Sequence, residues 1–87
     1  MYFVYILKSK TSKNLYIGYT NDLRKRFQEH NAGKSPATKP YVPWKIVYYE
    51  SYCCKEEAIH REYNLKLRAN AWNQLYGRIK KSVANTD

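Results

Sequence analysis

The sequence of 87 residues is poor in the residues that form covalent or metal cross-links. Its two cysteines, Cys53 and Cys54, are adjacent, and the side chains of adjacent cysteines point apart and rarely form a disulfide. Two histidines are too few to complete a zinc site with them. The composition therefore argues against a disulfide framework and a structural zinc site, and it favours a reducing compartment.

Long apolar runs are also missing. None approaches the roughly 20 residues needed to cross a bilayer, so we expect no membrane partner. The N-terminal stretch MYFVYILKSK has no basic region ahead of its apolar part, so we expect no signal peptide. Together with the free cysteines, these features predict a cytoplasmic protein.

Acidic residues are scarce relative to basic ones. Seven Asp and Glu stand against 16 Lys and Arg, which gives a formal net charge of +9. In so short a chain this excess favours a polyanionic partner, nucleic acid above all, although a merely basic protein is an alternative. Hydrophobic residues make up 44% of the sequence, with ten tyrosines, which is enough to fold one domain.

The hydrophobic pattern predicts three strands and three helices. Strands are expected over residues 2–7, 14–20 and 44–52, and helices over residues 22–31, 56–68 and 70–83. The polar link 8–13 makes the first two strands an antiparallel hairpin, and residues 32–43 are expected to form an exposed loop. The prediction is an α+β fold of order β-β-α-β-α-α, with helices packed on a three-stranded antiparallel sheet. One domain would span residues 1–83, followed by a short tail, 84–87.

Several polar side chains are expected to meet at the hairpin. Tyr16 and Gly18 are two positions apart in a strand and share a face, and a strand glycine marks a bulge or a close approach. Arg26 and His30 are four apart on the next helix, which must pack on the hairpin. A hydroxyl, a guanidinium and an imidazole could therefore converge, although any one tyrosine could equally be ordinary packing.

Glu62 is a carboxylate on a helix stripe that it shares with Ala58 and Leu65. A half-buried carboxylate must be paired or must hold a cation. Spacing allows an ion pair with Lys66, one turn further on. A single carboxylate is also sufficient for Mg²⁺, which keeps most of its waters and takes other ligands from substrate phosphates.

The residues Phe3-Val4-Tyr5 followed by Tyr16-Ile17-Gly18 resemble the paired motif of the GIY-YIG nuclease superfamily. Arg26, His30 and Glu62 follow in the order of the family pattern. The whole chain is similar to the short members that consist of little beyond this domain.

The resemblance implies an endonuclease that hydrolyses phosphodiester bonds in DNA with Mg²⁺ or Mn²⁺. By this resemblance, Tyr16 is the general base and Tyr5 hydrogen-bonds in the same cluster. Arg26 neutralises charge in the transition state, and His30 carries a proton or contacts phosphate. Glu62 binds the cation.

The chain departs from the family pattern at a few positions. Phe3 stands where the motif has glycine, and Tyr19 stands where some relatives carry lysine. The late asparagine of the family is assigned to Asn73, with Asn70 as the second choice. Substrate contacts are expected from Gly18, Tyr19, Lys34, Lys39, Asn73, Lys80 and Lys81, with Arg78 as a further basic contributor.

Two other functions are compatible with the sequence. One is a nucleic-acid-binding module with little turnover in the absence of a partner, and the other is a basic protein-interaction domain with a tyrosine-rich surface. The short chain leaves little room for a separate DNA-reading element. If it is a nuclease, sequence specificity should be low, and selection should rest on structure, such as single strands, flaps or branches, or on a partner. The oligomeric state is left open.

Overall fold

A computed structural model describes residues 1–85, and its three strands form one antiparallel sheet. Strand β1 spans Tyr2–Ser9, β2 spans Leu15–Thr20 and β3 spans Trp44–Tyr52. The strand order is β2-β1-β3, so β1 is central and pairs antiparallel with both neighbours. This arrangement confirms the predicted sheet.

Three helices complete the fold of residues 1–85. Helix α1 spans Leu23–Asn31, α2 spans Lys55–Leu67 and α3 spans Ala69–Ala84, with a short 3-10 turn at Lys39–Tyr41. The order of elements is β-β-α-β-α-α, as the hydrophobic pattern predicts.

The central strand is buried on both faces because helices cover both sides of the sheet. Val4, Tyr5, Ile6 and Leu7 are all buried, and alternation along the strand sends them to opposite sides. One side forms the larger core with α2 and α3, from Val4, Ile6, Ala58, Leu65, Leu75, Ile79 and Val83. The other side forms a smaller core with α1, from Tyr5, Leu7 and Trp44, with Leu23 and Phe27 packed against them.

A polar cluster on β3 fixes the position of α2. The Glu50 carboxylate accepts hydrogen bonds from the Tyr48 hydroxyl, from the Tyr52 hydroxyl at 2.7 Å and from Arg61 Nε at 2.6 Å. Arg61 belongs to α2 and immediately precedes Glu62. This half-buried ion pair therefore limits how α2 can slide or rotate on the sheet, and with it the position of Glu62.

The segment between α1 and β3 is more ordered than the predicted exposed loop. Lys34 and Lys39 are exposed as expected, but Thr38 is fully buried, and Trp44 Nε1 donates to its carbonyl oxygen at 2.9 Å. Asn31 closes the base of the segment, because its side chain bonds both the backbone N–H and the C=O of Trp44, at 2.6 and 3.1 Å. The prediction of an exposed loop is therefore correct for most of the segment, and Ser35 and Thr38 are its buried residues.

The predicted element ends differ from the observed ones by a few residues. Strand β1 continues to Ser9, and Asp22 is the N-cap of α1, accepting a hydrogen bond from Lys25 N at 3.1 Å. The break between the last two helices is Arg68 alone. Helix α3 runs through Ala84, where a tail was expected to begin, and positions 86–87 of that tail lie outside the described residues. The predicted domain boundary stays a prediction.

Within residues 1–85, no helix is long and apolar enough to cross a membrane. Cys53 and Cys54 are free thiols at exposed positions.

His30 is a titratable side chain in the interior, with no exposed surface. Burial, reinforced by the positive charge of Arg26, lowers its pKa from 6.5 to about 4. The folded protein therefore holds His30 neutral, whereas the unfolded chain protonates it below pH 6.5. Stability conferred by the neutral form is complete above this pH and is lost as the pH falls towards 4.

We expect the free energy of unfolding to fall on the order of 3 kcal/mol more between pH 7 and pH 4 in the wild type than in His30→Gln. Glutamine cannot be protonated in this range, so its pH profile should be flatter even if the variant is less stable throughout. His60→Gln removes the other histidine, which is exposed, and should keep the wild-type slope. Urea unfolding at a series of pH values measures this, and parallel profiles for wild type and His30→Gln would contradict it.

Candidate active site

A directed chain of hydrogen bonds runs through the smaller core. Tyr5 Oη lies 2.9 Å from His30 Nε2, and His30 Nδ1 lies 2.8 Å from Thr38 Oγ1. The Thr38 hydroxyl donates to the Ser35 carbonyl at 3.4 Å, so its oxygen is left to accept the imidazole proton from His30 Nδ1. His30 Nε2 then accepts the phenol proton of Tyr5. The surroundings thus assign the tautomer of a neutral His30.

Tyr5 is the protonated member of this chain. It is 1% exposed, and burial, with the neighbouring Tyr16, raises its pKa to about 12. A phenol with such a pKa keeps its proton at neutral pH. Tyr5 can therefore hydrogen-bond and orient its neighbours, but it is a poor candidate for a base.

Gly18 is the glycine that makes room for Tyr5. The two residues face each other across the β1–β2 pair. A Cβ at position 18 would lie 2.6 Å from Tyr5 Oη and 2.7 Å from Cζ. The close approach predicted for this strand glycine is present, and the approaching group is the phenol. The register irregularity of the sheet lies elsewhere, between Ile6 and Leu7.

Tyr16 stands beside this chain with less burial. Its ring centroid is 4.8 Å from that of His30 and 6.3 Å from that of Tyr5. The ammonium group of Lys66, on α2, lies 5.9 Å from the centre of the Tyr16 ring, within the range of a cation–π contact. Tyr16 therefore lies where β2, α1 and α2 meet.

Arg26 places a partly exposed cation at the same position. Its guanidinium donates to Glu29 Oε1 at 3.2 Å and interacts with the Tyr5 and Tyr16 hydroxyls electrostatically. The contact with Glu29 uses one of its N–H groups, which leaves others for an anion.

Glu62 has the ion pair that spacing allowed as one alternative. Its Oε2 lies 3.4 Å from Lys66 Nζ, and the Glu62 side chain is 18% exposed. Lys66 Nζ also lies 5.9 Å from the Tyr16 ring centre, so the ion pair is on the side of α2 that faces this tyrosine. The half-buried position and the alternative of an ion pair are therefore present, and the cation role of Glu62 stays a prediction.

The donor set can be tested against a metal ion. Among residues 1–85, no group of three or more His, Cys, Asp or Glu side chains could form a metal cage. A lone carboxylate that remains partly accessible fits a hard cation such as Mg²⁺, which completes its shell with water and phosphate oxygens. It does not fit zinc, which requires three or four protein ligands.

The expected substrate-contact residues are spread over the molecule. Lys34 and Lys39 are exposed in the segment after α1, and the exposed set on α3 comprises Asn70, Asn73, Arg78, Lys80 and Lys81. Tyr19 packs against the larger core, on the face of β2 opposite Tyr16. The candidate catalytic cluster is built from β1, β2, α1 and α2, so substrate contacts by these outlying residues stay predictions.

Two residues contribute to the candidate site but were not predicted from the sequence to do so. Thr38 fixes the tautomer of His30 but lies in a segment without periodicity, so no spacing signal marks it. Lys66 was considered only as a partner for Glu62, although it also covers the Tyr16 ring. Its position one turn after Glu62 and beside Leu65 was the available signal.

Known proteins match this chain along most of its length. The family model described as GIY-YIG catalytic domain matches residues 1–80. The UPF0213 protein YazA of Bacillus subtilis is 40% identical over 76 residues, covering 86% of this chain and 76% of that protein. A UPF0213 protein of Clostridium perfringens is 46% identical over 67 residues, covering 76% and 71%.

A solved structure agrees with these matches. The solution NMR structure of a UPF0213 protein from Bacillus halodurans is 35% identical and has a TM-score of 0.54. The alignment covers 88% of this chain and 84% of that one. The resemblance of the paired tyrosine motifs is thereby confirmed at the level of the whole domain. The chain belongs to the GIY-YIG catalytic domain family, and this membership supports a nuclease.

Proposed function

We propose that the protein is a divalent-metal-dependent endonuclease that hydrolyses phosphodiester bonds in DNA, with a preference for single-stranded or branched substrates. The observation that carries this proposal is the convergence of Tyr16, Arg26 and Glu62 around the buried, protonated Tyr5. The net charge of +9 supports a polyanionic substrate.

Phosphodiester hydrolysis needs an activated water, neutralisation of charge on phosphorus-bound oxygens and a stabilised leaving oxygen. Tyr16 is the less buried tyrosine of the cluster. Ionised to the phenolate, its oxygen would accept the proton of the attacking water and become the phenol again. Arg26 would bind the phosphate through its guanidinium fork and neutralise charge as the bond order changes.

Tyr5 and His30 are positioning residues in this proposal. Neutral His30 accepts the phenol proton of Tyr5, and the Arg26 charge acts on the same phenol oxygen. The chain would therefore help to orient the guanidinium before substrate arrives. A direct phosphate contact by His30 is disfavoured because the imidazole is fully buried and both of its nitrogens have protein partners.

Glu62 would hold the divalent cation, Mg²⁺ or Mn²⁺, through carboxylate oxygen. When bound, this cation would supply a Lewis acid that stabilises negative charge on the substrate oxygens. Lys66, the present partner of Glu62, would then be free to contact phosphate.

Removing the Tyr16 hydroxyl distinguishes a catalytic role of this side chain from a purely structural one. We expect Tyr16→Phe to cut the cleavage rate about 10²–10⁴-fold, as expected for loss of a general base. It should bind DNA normally and lose at most about 0.5–1.5 kcal/mol of stability. Arg26→Ala should lose both cleavage and affinity, because it removes the phosphate fork. Rates, DNA affinity and thermal melting are measured side by side, and a Tyr16→Phe rate above about a tenth of wild type would exclude Tyr16 as the base.

Substitution of Glu62 tests its proposed role as the metal ligand. Glu62→Gln keeps the shape of the side chain and removes its charge, so we expect near-complete loss of metal-dependent cleavage with DNA binding retained. Glu57→Gln removes an exposed carboxylate from the same helix and should cleave like wild type.

The measurement uses single-stranded, duplex and branched DNA with Mg²⁺, Mn²⁺ or EDTA. Cleavage by Glu62→Gln at the wild-type rate would rule out the metal assignment. Binding without cleavage of any substrate by the wild type would favour the nucleic-acid-binding module instead.

A further inference from the structure

An open groove of about 660 Å³ adjoins the candidate active site. It runs between the edge strand β2 and the corner where α2 meets α3. Its lining includes Tyr16 on β2, Lys66, Leu67 and Arg68 at the corner, and Trp72 on α3. Because β2 pairs only with β1, the groove is open along its outer side.

The lining of the groove combines flat apolar surface with positive charge. Leu15, Ile17 and Leu65 join Trp72 in forming its apolar walls. Lys66 and Arg68 are its charged residues, and none of the described residues that line it is acidic. A ligand that suits this lining has a flat apolar part joined to an anion. An unpaired nucleobase on its phosphate backbone has that chemistry.

The groove is continuous with the catalytic cluster through two side chains. Tyr16 is both the proposed base and part of the groove wall. The Lys66 ammonium lies 5.9 Å from the Tyr16 ring centre and 3.4 Å from Glu62. A strand whose phosphate lies at Tyr16 and Arg26 could therefore extend its next base into the groove.

Trp72 is the aromatic platform of the groove. Its ring is half-buried, and the neighbouring Tyr76 ring supports it with a centroid distance of 5.7 Å. Aromatic side chains of this kind stack on bases without regard to sequence, since every base has a π-face. A base in a duplex is already paired and stacked and must be unpaired before it can enter such a site.

We propose that this groove binds an unpaired nucleobase next to the phosphate that is cleaved, and thereby selects single-stranded DNA. The inference rests on the proposed function for the position of that phosphate. A second copy of the chain is a poor occupant, because each copy carries a net charge of +9 and both charged groups on the groove are cationic.

Tryptophan fluorescence tests the proposal without requiring cleavage. The chain has two tryptophans, and Trp44 is buried in the smaller core. In EDTA, a thymidine oligonucleotide should quench Trp72, whereas an abasic oligonucleotide of equal length should not. Trp72→Phe should abolish the quenching, which assigns the signal to the groove.

Affinity measurements provide the matched comparison. Trp72→Ala should weaken binding of the thymidine oligonucleotide about 5- to 150-fold, the range for loss of one stacked base. Its affinity for the abasic oligonucleotide should not change. Tyr49→Ala removes an aromatic that is 56% exposed and lies outside the groove, so it should bind like wild type.

If Trp72→Ala does not fold, a second variant at the groove tests the same proposal. Leu67 is 67% exposed, so Leu67→Glu should fold and place a carboxylate in the groove. It should bind the thymidine oligonucleotide more weakly than Tyr49→Glu, which carries the same change of charge at an exposed site elsewhere.

Equal quenching by the thymidine and abasic oligonucleotides would overturn the proposal, as would equal affinities of Leu67→Glu and Tyr49→Glu. A wild-type dimer that Trp72→Ala or Leu67→Glu converts to a monomer in analytical ultracentrifugation would show that a second copy occupies the groove. Base-dependent quenching without cleavage of any DNA in Mg²⁺ would instead refute the nuclease and leave the groove assignment standing.

Discussion

The hydrogen bond between the Tyr5 hydroxyl and His30 is the contact on which both the smaller core and the site depend. It joins the central strand to α1, and His30 passes the connection to Thr38 in the segment before β3. Each member is buried, so losing one partner would leave a polar group desolvated without compensation. Arg26 also interacts electrostatically with the Tyr5 hydroxyl, so the contact that holds the smaller core together also influences this partly exposed cation.

Most of the architecture was accessible from the sequence because it is encoded locally. Alternation in β1, the short polar link and the helical stripes gave the order of elements, and the spacing of Arg26 and His30 placed them on one helix. The partners of His30 were not accessible in this way. Thr38 lies in a segment that has no hydrophobic periodicity. Its burial depends on the position of Trp44, which is set only when the sheet has assembled.

Glu62 shows why local spacing alone could not decide between two roles. A residue one turn away was sure to be within reach, so the ion pair with Lys66 was predictable. The direction in which that pair faces is set by the packing of α2 on the sheet, and the Arg61–Glu50 contact contributes to this packing. Lys66 consequently lies next to three features: the Glu62 carboxylate, the Tyr16 ring and the groove beyond it.

Gly18 and Tyr5 occupy what is in effect a single volume shared by two strands. A side chain at position 18 would have to displace the phenol, and a displaced phenol would leave His30 Nε2 buried without its donor. The two positions are therefore not free to vary independently. A chain of this fold that gained even a methyl group at the glycine could keep its core only by giving up the large residue opposite, and with it the hydroxyl that hydrogen-bonds His30.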